Sequence, residues 1–149
     1  MLPNRIGVAM TVAMLLAATR SIVGQSKPQT GCLSYEPAVV TVSGTLSRKT
    51  FPGPPNYESI RNGDKRETSW FLDLSVAVCI NEDRLEPDLN QAQDGVRRIQ
   101  LVLDRYQYQQ YKKLMGRKVI AKGTLFQEIT AHHHVPLLLT VRTMHAAPN

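Results

Sequence analysis

Three segments of the chain alternate apolar residues with polar or small ones, and this strand-like period gives way once to a helical period. The alternating segments are residues 39–47, 70–75 and 98–104, and two further strand-like segments follow at residues 118–126 and 135–142. Such patterns predict half-buried β-strands. The chain is therefore expected to be mainly β with five strands, and Pro136 predicts that the last strand begins there or lies at an edge.

One short helix is predicted between the third and fourth strands. Asp104 is suited to cap its start, while Lys112 and Lys113 fall in the last turn and Gly116 stands at the stop position. The residues that recur at helical spacing are Tyr108, Tyr111, Leu114 and Met115. The period thus predicts a helix that starts at Asp104 and stops before Gly116.

The order of three strands, one helix and two strands restricts the architecture. "VSGTL" at 42–46 and "AKGTL" at 121–125 place Gly44 and Gly123 inside the first and fourth strands, where glycine marks a bulge or a tight bend. The first and fourth strands would therefore curve at these glycines. Together with the element order, this favours a small five-stranded OB-like Greek-key barrel with the helix between strands 3 and 4. A small SH3-like barrel is the alternative, and it would not need a helix at this position.

Two long connections separate the first three predicted strands, at residues 48–69 and 81–95. In the first, Asn62-Gly63 is a hairpin signal, so residues 57–60 and the residues before Trp70 are expected to extend the first two strands as a ribbon. The second is acidic and contains Pro87, which is typical of a solvated loop.

The first 24 residues have the organisation of a secretory signal peptide. Arg5 supplies a positive charge, residues 6–19 form an apolar stretch, and a small residue at Gly24 suits cleavage. This predicts a signal peptide over 1–24, export to the periplasm or the outside, and one OB-like β-barrel domain over 25–149. The net charge of the chain is +6, and the loss of Arg5 and Arg20 with the leader would reduce it to about +4, which favours acidic partners.

Two cysteines, Cys32 and Cys79, lie in the part that would be exported. An oxidising compartment favours pairing over two buried thiols. We therefore expect a Cys32–Cys79 disulfide, whose loop closure would contribute roughly 3 to 4 kcal/mol in the chain-entropy model.

A ligand-binding rim is predicted where the connection between strands 1 and 2 meets the one between strands 4 and 5, because OB barrels bind ligands beside these loops. The fourth-to-fifth connection contains "AHHH", and Lys65 and Arg66 lie near the end of the first-to-second connection. The rim suits an acidic glycan, another polyanion or an envelope protein, whereas Trp70 in phase with core residues disfavours nucleic acid. The candidate ligand-binding residues are Arg48, Lys49, Tyr57, Arg61, His132, His133 and His134.

Several other roles remain open for the three histidines. His132 and His134 would face the same side of an extended loop, as ligands of a divalent transition metal, with Glu128, Glu67 or Asp64 as the third ligand. Alternatively, one imidazole hydrogen-bonds the loop backbone while the others are solvated, or the cluster senses pH.

A hydrolase is a further alternative. It would need a carboxylate, from Asp64, Glu67 or Asp73, beside a histidine. The sequence contains no Gly-rich phosphate loop, no "GxSxG" and no "HExxH", so no catalytic residue and no cofactor other than a metal is predicted.

Several motifs together resemble a known bacterial family. They are "CLSYEPAVVTVSGTLSRKTFPGPPNYESI", then W-x-L-x-L at residues 70–74, then "GRKVIAKGTLF", and "HHH" followed by "VPLLLTV". In this combination the chain resembles the family known as domain of unknown function 4431, over nearly all of the expected mature chain. The resemblance implies a bacterial exported protein of the periplasm, and it implies no activity and no functional residue.

Overall fold

The computed structural model of the chain describes residues 31–148. The predicted signal peptide, residues 1–24, lies outside the described residues. The strands are β1 (Val39–Pro52), β2 (Arg66–Ile80), β3 (Gln93–Val102), β4 (Lys118–Gln127) and β5 (Leu137–Ala146), and the α-helix is α1 (Arg105–Tyr111). Short 3-10 helices occupy Ile60–Asn62 and Lys112–Leu114. The mainly β class, the five strands and the short helix between β3 and β4 are as the sequence predicts.

The five strands form one mixed sheet that closes into a ring in the order β1-β2-β3-β5-β4. The neighbours run antiparallel except β3 and β5, which pair in parallel from Gln100 to Val102 with residues 138–140. β1 closes the ring because its first half pairs with β4 and its second half with β2.

The inside of the ring is filled by the apolar residues of the alternating segments. Leu46, Leu72, Ile99 and Leu139, from four strands, have no exposed side-chain surface and belong to one cluster of buried residues. Complete burial of an aliphatic side chain stabilises a fold by about 1.5–3 kcal/mol. The alternation therefore predicts the core face of these strands correctly.

α1 covers one end of the ring and begins after Asp104 as predicted, but it ends at Tyr111, and the 3-10 helix Lys112–Leu114 fills the rest of the predicted span. The Asp104 carboxylate accepts from the N–H of Gln107, and the Gln107 side chain accepts from the N–H of Asp104, which together form a capping box. The ring of Tyr108 packs edge-on against that of Trp70, with the ring centroids 5.1 Å apart. Gly116 follows with a positive φ of 77°, a conformation that glycine adopts without steric cost.

Gly44 and Gly123 are required where strands approach one another closely. A Cβ atom on Gly44 would meet the carbonyl oxygen of Asp73, and one on Gly123 would meet that of Thr140. The register between β4 and β5 also shifts between Lys122 and Gly123. The predicted bend or bulge is therefore found at Gly123, and Gly44 lies where the pairing of β1 passes from β4 to β2.

The first long connection differs in part from the prediction. β1 continues to Pro52 and β2 begins at Arg66, so the residues before Trp70 extend the ribbon as predicted. Residues 57–60 do not, and the ribbon consists of residues 48–52 and 66–70. Asn62-Gly63 ends the 3-10 helix Ile60–Asn62 and is not a two-residue hairpin turn. The strands extend further than the apolar pattern because the ribbon pairs polar residues, such as Thr50 with Thr68, whose hydroxyls lie 2.9 Å apart.

The predicted Cys32–Cys79 disulfide is present and joins the segment before β1 to the end of β2. Leu33 follows the bridge into the sheet: its N–H donates to the carbonyl of Cys79, and its own carbonyl accepts from Asn81. The disulfide thus holds the start of the second long connection. No helix in residues 31–148 has the length and apolar character to cross a membrane.

Replacing Gly123 by alanine is expected to destabilise the fold by about 1–3 kcal/mol, the usual cost of forcing extra volume into a packed region. The added methyl group would push β5 away at the Thr140 carbonyl. The measurement is the free energy of unfolding in urea, with Lys122→Ala as the control because Lys122 is the exposed neighbour on β4. Equal stabilities of the two variants would contradict this account of Gly123.

Candidate functional site

The ribbon of β1 and β2 carries side chains to two sides. Phe51 pairs with Glu67 in the register, and the Lys49 ammonium lies 4.9 Å from the centre of the Phe51 ring. Arg48 pairs with Trp70 and, by strand alternation, points to the side opposite Lys49. Of the two predicted cations, the structure therefore brings Lys49 and not Arg48 to the side on which Phe51 and Glu67 lie.

The β1–β2 loop, residues 53–65, is organised by one carboxylate. Asp64 is buried, and its oxygens accept from the backbone N–H groups of Asn56, Glu58 and Ser59 at 2.7–3.0 Å. These hydrogen bonds, that from Ser59 first, hold the pKa of Asp64 below its ordinary value. Asp64 therefore shapes the loop from which Tyr57, at a positive φ of 60°, reaches the histidines.

The histidine loop, residues 128–136, lies over the outer face of β2 and β3, which we define as Phe71, Asp73, Arg98 and Gln100. The Gln100 side chain is buried and binds the loop backbone twice: its Nε2 donates to the carbonyl of His132 at 2.8 Å, and its Oε1 accepts from the N–H of His134 at 2.7 Å. Because an amide both donates and accepts, this one side chain attaches the centre of the loop to β3.

His134 is the most buried of the three histidines. Its ring stacks on Phe51 with the centroids 3.7 Å apart and the planes 9° from parallel, and Phe51 in turn meets Phe71 edge-on at 6.0 Å. Its Nε2 is buried without a hydrogen-bond partner and lies 3.9 Å from Oε1 of Glu67. Burial lowers the pKa of His134, which Glu67 only partly opposes.

His132 joins the two loops. Its Nδ1 lies 2.7 Å from Oε2 of Glu67, and its Nε2 lies 3.1 Å from the hydroxyl of Tyr57. A carboxylate only accepts, so Nδ1 carries the proton, and in a neutral ring Nε2 would accept from Tyr57. The result is a hydrogen-bonded chain of phenol, imidazole and carboxylate, in which the His132 side chain is 53 % exposed.

His133 points back into its own loop. Its Nδ1 accepts from the N–H of Ile129 at 2.9 Å, and its ring packs edge-on against Phe126 at 5.7 Å. Burial lowers its pKa, while Glu128 opposes this. One alternative from the sequence was that a single imidazole hydrogen-bonds the backbone of its own loop. His133 makes that hydrogen bond.

The outer face continues into a groove of about 630 Å³ on the far side of the histidine loop. Arg98 belongs to both: it binds Asp73 at 2.6 Å and lies over the Phe71 ring, and it also lines the groove. This size falls within the usual range for small-ligand sites, roughly 300–1,000 Å³. The other lining residues are Gln91, Ala92, Gln93, Asp94, Val96, Arg97, Gln127, Val135, Pro136 and Leu137.

The candidate metal ligands are only partly brought together. Glu67 lies beside both His132 and His134, whereas Asp64 is engaged by backbone N–H groups and Glu128 is exposed. Within residues 31–148, no group of three or more histidine, cysteine, aspartate or glutamate side chains is placed to hold a metal ion. A metal at His132 would have to displace its contact with Glu67 or with Tyr57.

Two residues of the site, Phe71 and Gln100, were not predicted from the sequence. Phe71 and Gln100 stand out of phase with the core residues of their strands, yet 1 % and 6 % of their surfaces are exposed. A large or amide side chain on the outer side of a strand is the available signal. The remaining predicted cation, Arg61, is exposed on the 3-10 helix of the β1–β2 loop.

Gln100→Leu is expected to loosen the histidine loop, because it leaves the carbonyl of His132 and the N–H of His134 without partners. Leaving buried polar groups unpaired costs about 1–3 kcal/mol each. Amide hydrogen exchange over residues 128–136 should accelerate severalfold, while Gln109→Leu on the exposed side of α1 should leave it unchanged. Unchanged exchange in the Gln100 variant would show that the loop is held by other contacts.

Comparison with curated proteins and with solved structures finds no match to this chain. A family model does match, over residues 98–145. The matched part includes Gln100 and the three histidines and leaves Tyr57 and Glu67 outside. The family that residues 98–145 of this chain match is DUF4431, a domain of unknown function, which confirms the resemblance for "GRKVIAKGTLF" and for "HHH" followed by "VPLLLTV", whereas the motifs before residue 98 lie outside the match.

Proposed function

We propose that the chain is an exported OB-like binding module that takes an acidic glycan along the outer face of β2 and β3 and the adjoining groove. The observation that carries the proposal is the meeting of the β1–β2 loop and the histidine loop over that face, through Tyr57, His132 and Glu67. In OB-folds these two loops and the face of strands 2 and 3 bind oligosaccharides and oligonucleotides.

The strand order supports the OB-like assignment. A ring in the order β1-β2-β3-β5-β4, with β1 paired to both β2 and β4 and a helix between β3 and β4, corresponds to a five-stranded Greek-key barrel. The place of α1 at one end of the ring agrees with this assignment, since it leaves the outer face of β2 and β3 clear of helix.

Export is supported by the leader-like pattern of residues 1–24 and by the disulfide. A Cys32–Cys79 bridge is typical of an oxidising compartment. The resemblance to a bacterial exported family favours the periplasm or the outside of a bacterial cell, with residues 25–149 as one mature domain.

The charges and amides of the surface favour an acidic sugar. Lys49 and Arg97 are exposed beside the outer face and in the groove, and no ion pair of either is found within residues 31–148. Three glutamine amides line the groove, and amides both donate to and accept from hydroxyl groups. An acidic sugar carries carboxylate or sulfate groups that could pair with the cations and hydroxyl groups that could bind the amides. An envelope protein with acidic residues is the competing partner.

A sulfated heparin tetrasaccharide tests the proposal, with uncharged cellotetraose as the comparison ligand. Lys49→Ala/Arg97→Ala is expected to weaken tetrasaccharide binding at least tenfold in calorimetry at low salt, because charge-assisted hydrogen bonds contribute about 1.5–3 kcal/mol each. Lys118→Ala/Lys122→Ala on β4 removes the same charge from another part of the ring and should bind like the wild type. Equal losses in the two variants would mean that only net charge matters, and no binding by the wild type would reject the glycan.

The hydrogen-bonded chain from Tyr57 through His132 to Glu67 supports a second candidate, a hydrolase. A carboxylate that orients an imidazole is the arrangement of a general base. If the site hydrolyses esters, turnover of p-nitrophenyl acetate should fall at least a hundredfold in Glu67→Gln and not in Asp94→Asn, which lies in the groove. Equal slow rates in both variants would remove this candidate.

A further inference from the structure

The β1–β2 ribbon has a second side, turned away from the histidines. Strand alternation places five side chains on it: Arg48 and Thr50 from β1, and Arg66, Thr68 and Trp70 from β2. The hydroxyls of Thr50 and Thr68 lie 2.9 Å apart, so both strands turn these side chains the same way. The predicted cation Arg48, which the histidine side does not use, is therefore joined here by Arg66.

The helix α1 meets this side of the ribbon. The ring of Tyr108 packs edge-on against that of Trp70. Residues three before and four after a helical position share its side of the helix. Arg105 and Lys112 therefore lie along the same edge of α1 as Tyr108, and Lys112 still has helical backbone angles, with φ −53° and ψ −30°. The ribbon and the helix thus each contribute two cations around one aromatic contact.

These four cations form a surface that we call the basic end. All four are exposed, and no ion pair of any of them is found within residues 31–148. The acidic groups that the same elements bring close are Asp104, which caps α1, and Glu67, whose charge adds to burial in raising the pKa of Tyr108. Asp104 accepts from Gln107, and Glu67 is bound by His132. The members of the basic end are Arg48, Arg66, Arg105 and Lys112.

An exposed aromatic ring lies beside these charges. Tyr106 follows Arg105 in α1, and 75 % of its surface is exposed, whereas Tyr111 of the same helix is buried. Tyrosine has an apolar ring and a polar hydroxyl, and it is enriched where a membrane meets water. Unpaired cations beside an exposed tyrosine are therefore typical of a surface that lies against an acidic membrane.

We propose that the basic end docks on a membrane surface rich in anionic phospholipids. Charge complementarity supports this occupant, because guanidinium groups bind phosphate oxygens through charge-assisted hydrogen bonds. Tyr106 favours a bilayer over a soluble polyanion, since a bilayer supplies both phosphates and an apolar boundary for the ring. Lys49 points to the other side of the ribbon, so a docked molecule keeps the proposed glycan face free, and this inference does not rest on the glycan.

Co-sedimentation with lipid vesicles tests the docking. Vesicles of phosphatidylglycerol and phosphatidylcholine in equal parts should bind the protein about tenfold or more tightly than vesicles of phosphatidylcholine alone, because each basic residue at an acidic surface strengthens binding severalfold. The preference should shrink at high salt, which screens exposed charges. Equal binding to the two vesicles would overturn the proposal. All proteins compared carry the same N-terminal residues, so residues 1–24 contribute equally.

Charge-removing variants locate the surface. Arg48→Gln/Arg66→Gln should weaken binding to the acidic vesicles about tenfold or more, and Arg105→Gln/Lys112→Gln gives the same test on α1, independently of the ribbon. The matched control is Lys118→Gln/Lys122→Gln on β4, which removes the same charge elsewhere and should bind like the wild type. Unchanged binding in both basic-end variants, or an equal loss in the control, would overturn the basic end as the docking surface. Thermal unfolding checks that each variant is folded.

A fluorescent residue reports whether α1 touches the bilayer. The emission of Tyr106→Trp should shift to the blue on addition of acidic vesicles, because an indole at the interface leaves water. Val76→Trp is the control, since Val76 is 74 % exposed but lies on β2 well beyond the ribbon. A shift in the control alone would show that another surface meets the membrane.

The sulfated tetrasaccharide separates this inference from the proposed function. Arg48→Gln/Arg66→Gln should lose vesicle binding and keep tetrasaccharide binding, whereas Lys49→Ala/Arg97→Ala should do the reverse. If the first variant loses the tetrasaccharide and keeps the vesicles, the basic end is a glycan surface and the membrane is rejected. Vesicle binding by a wild type that binds no tetrasaccharide would reject the glycan alone and support the docking.

Discussion

The structure depends on the way one strand closes the ring. β1 pairs with β4 through its first half and with β2 through its second, and the pairing changes around Gly44, where any Cβ atom would meet the Asp73 carbonyl. Closure brings β3 and β5 together in parallel over three residues. That short pairing starts at Gln100, and the Gln100 side chain also holds the backbone of the histidine loop, the segment that leads into β5.

Phe71 and Gln100, two of the four residues of the outer face, are consequently buried beside a loop instead of by a second layer of structure. Phe71 and Gln100 are nearly inaccessible although they point away from the core, and their cover is attached by an amide, an aromatic stack and an imidazole contact. Polar contacts of this kind are exchangeable for contacts with water or a ligand, whereas the apolar contacts inside the ring are not. The free energy that holds the loop is therefore much smaller than that which holds the ring.

The sequence predicts those parts of the fold that depend on local pattern. Alternation, the capping residue Asp104 and the stop at Gly116 give the strands, the helix and their order, and the placement of the two loops follows from that order. The length of the β1–β2 ribbon was missed because its residues are polar and are ordered by pairing across the strands. The burial of Phe71, Gln100 and His134 could not be predicted, because it arises when residues distant in sequence cover one another.

The balance of charge on the outer face decides where the proposed acidic ligand would find unpaired cations. Asp73 accepts from Ser47 and Arg98, both at 2.6 Å; although burial raises the pKa of Asp73, these bonds outweigh it and keep the carboxylate ionised. Glu67 is likewise occupied by His132. Both carboxylates are thus partnered, so they repel an anionic ligand less than free carboxylates would. The cations left to meet it are Lys49 at one edge of the face and Arg97 in the groove, and a ligand that reached both would have to cross the histidine loop.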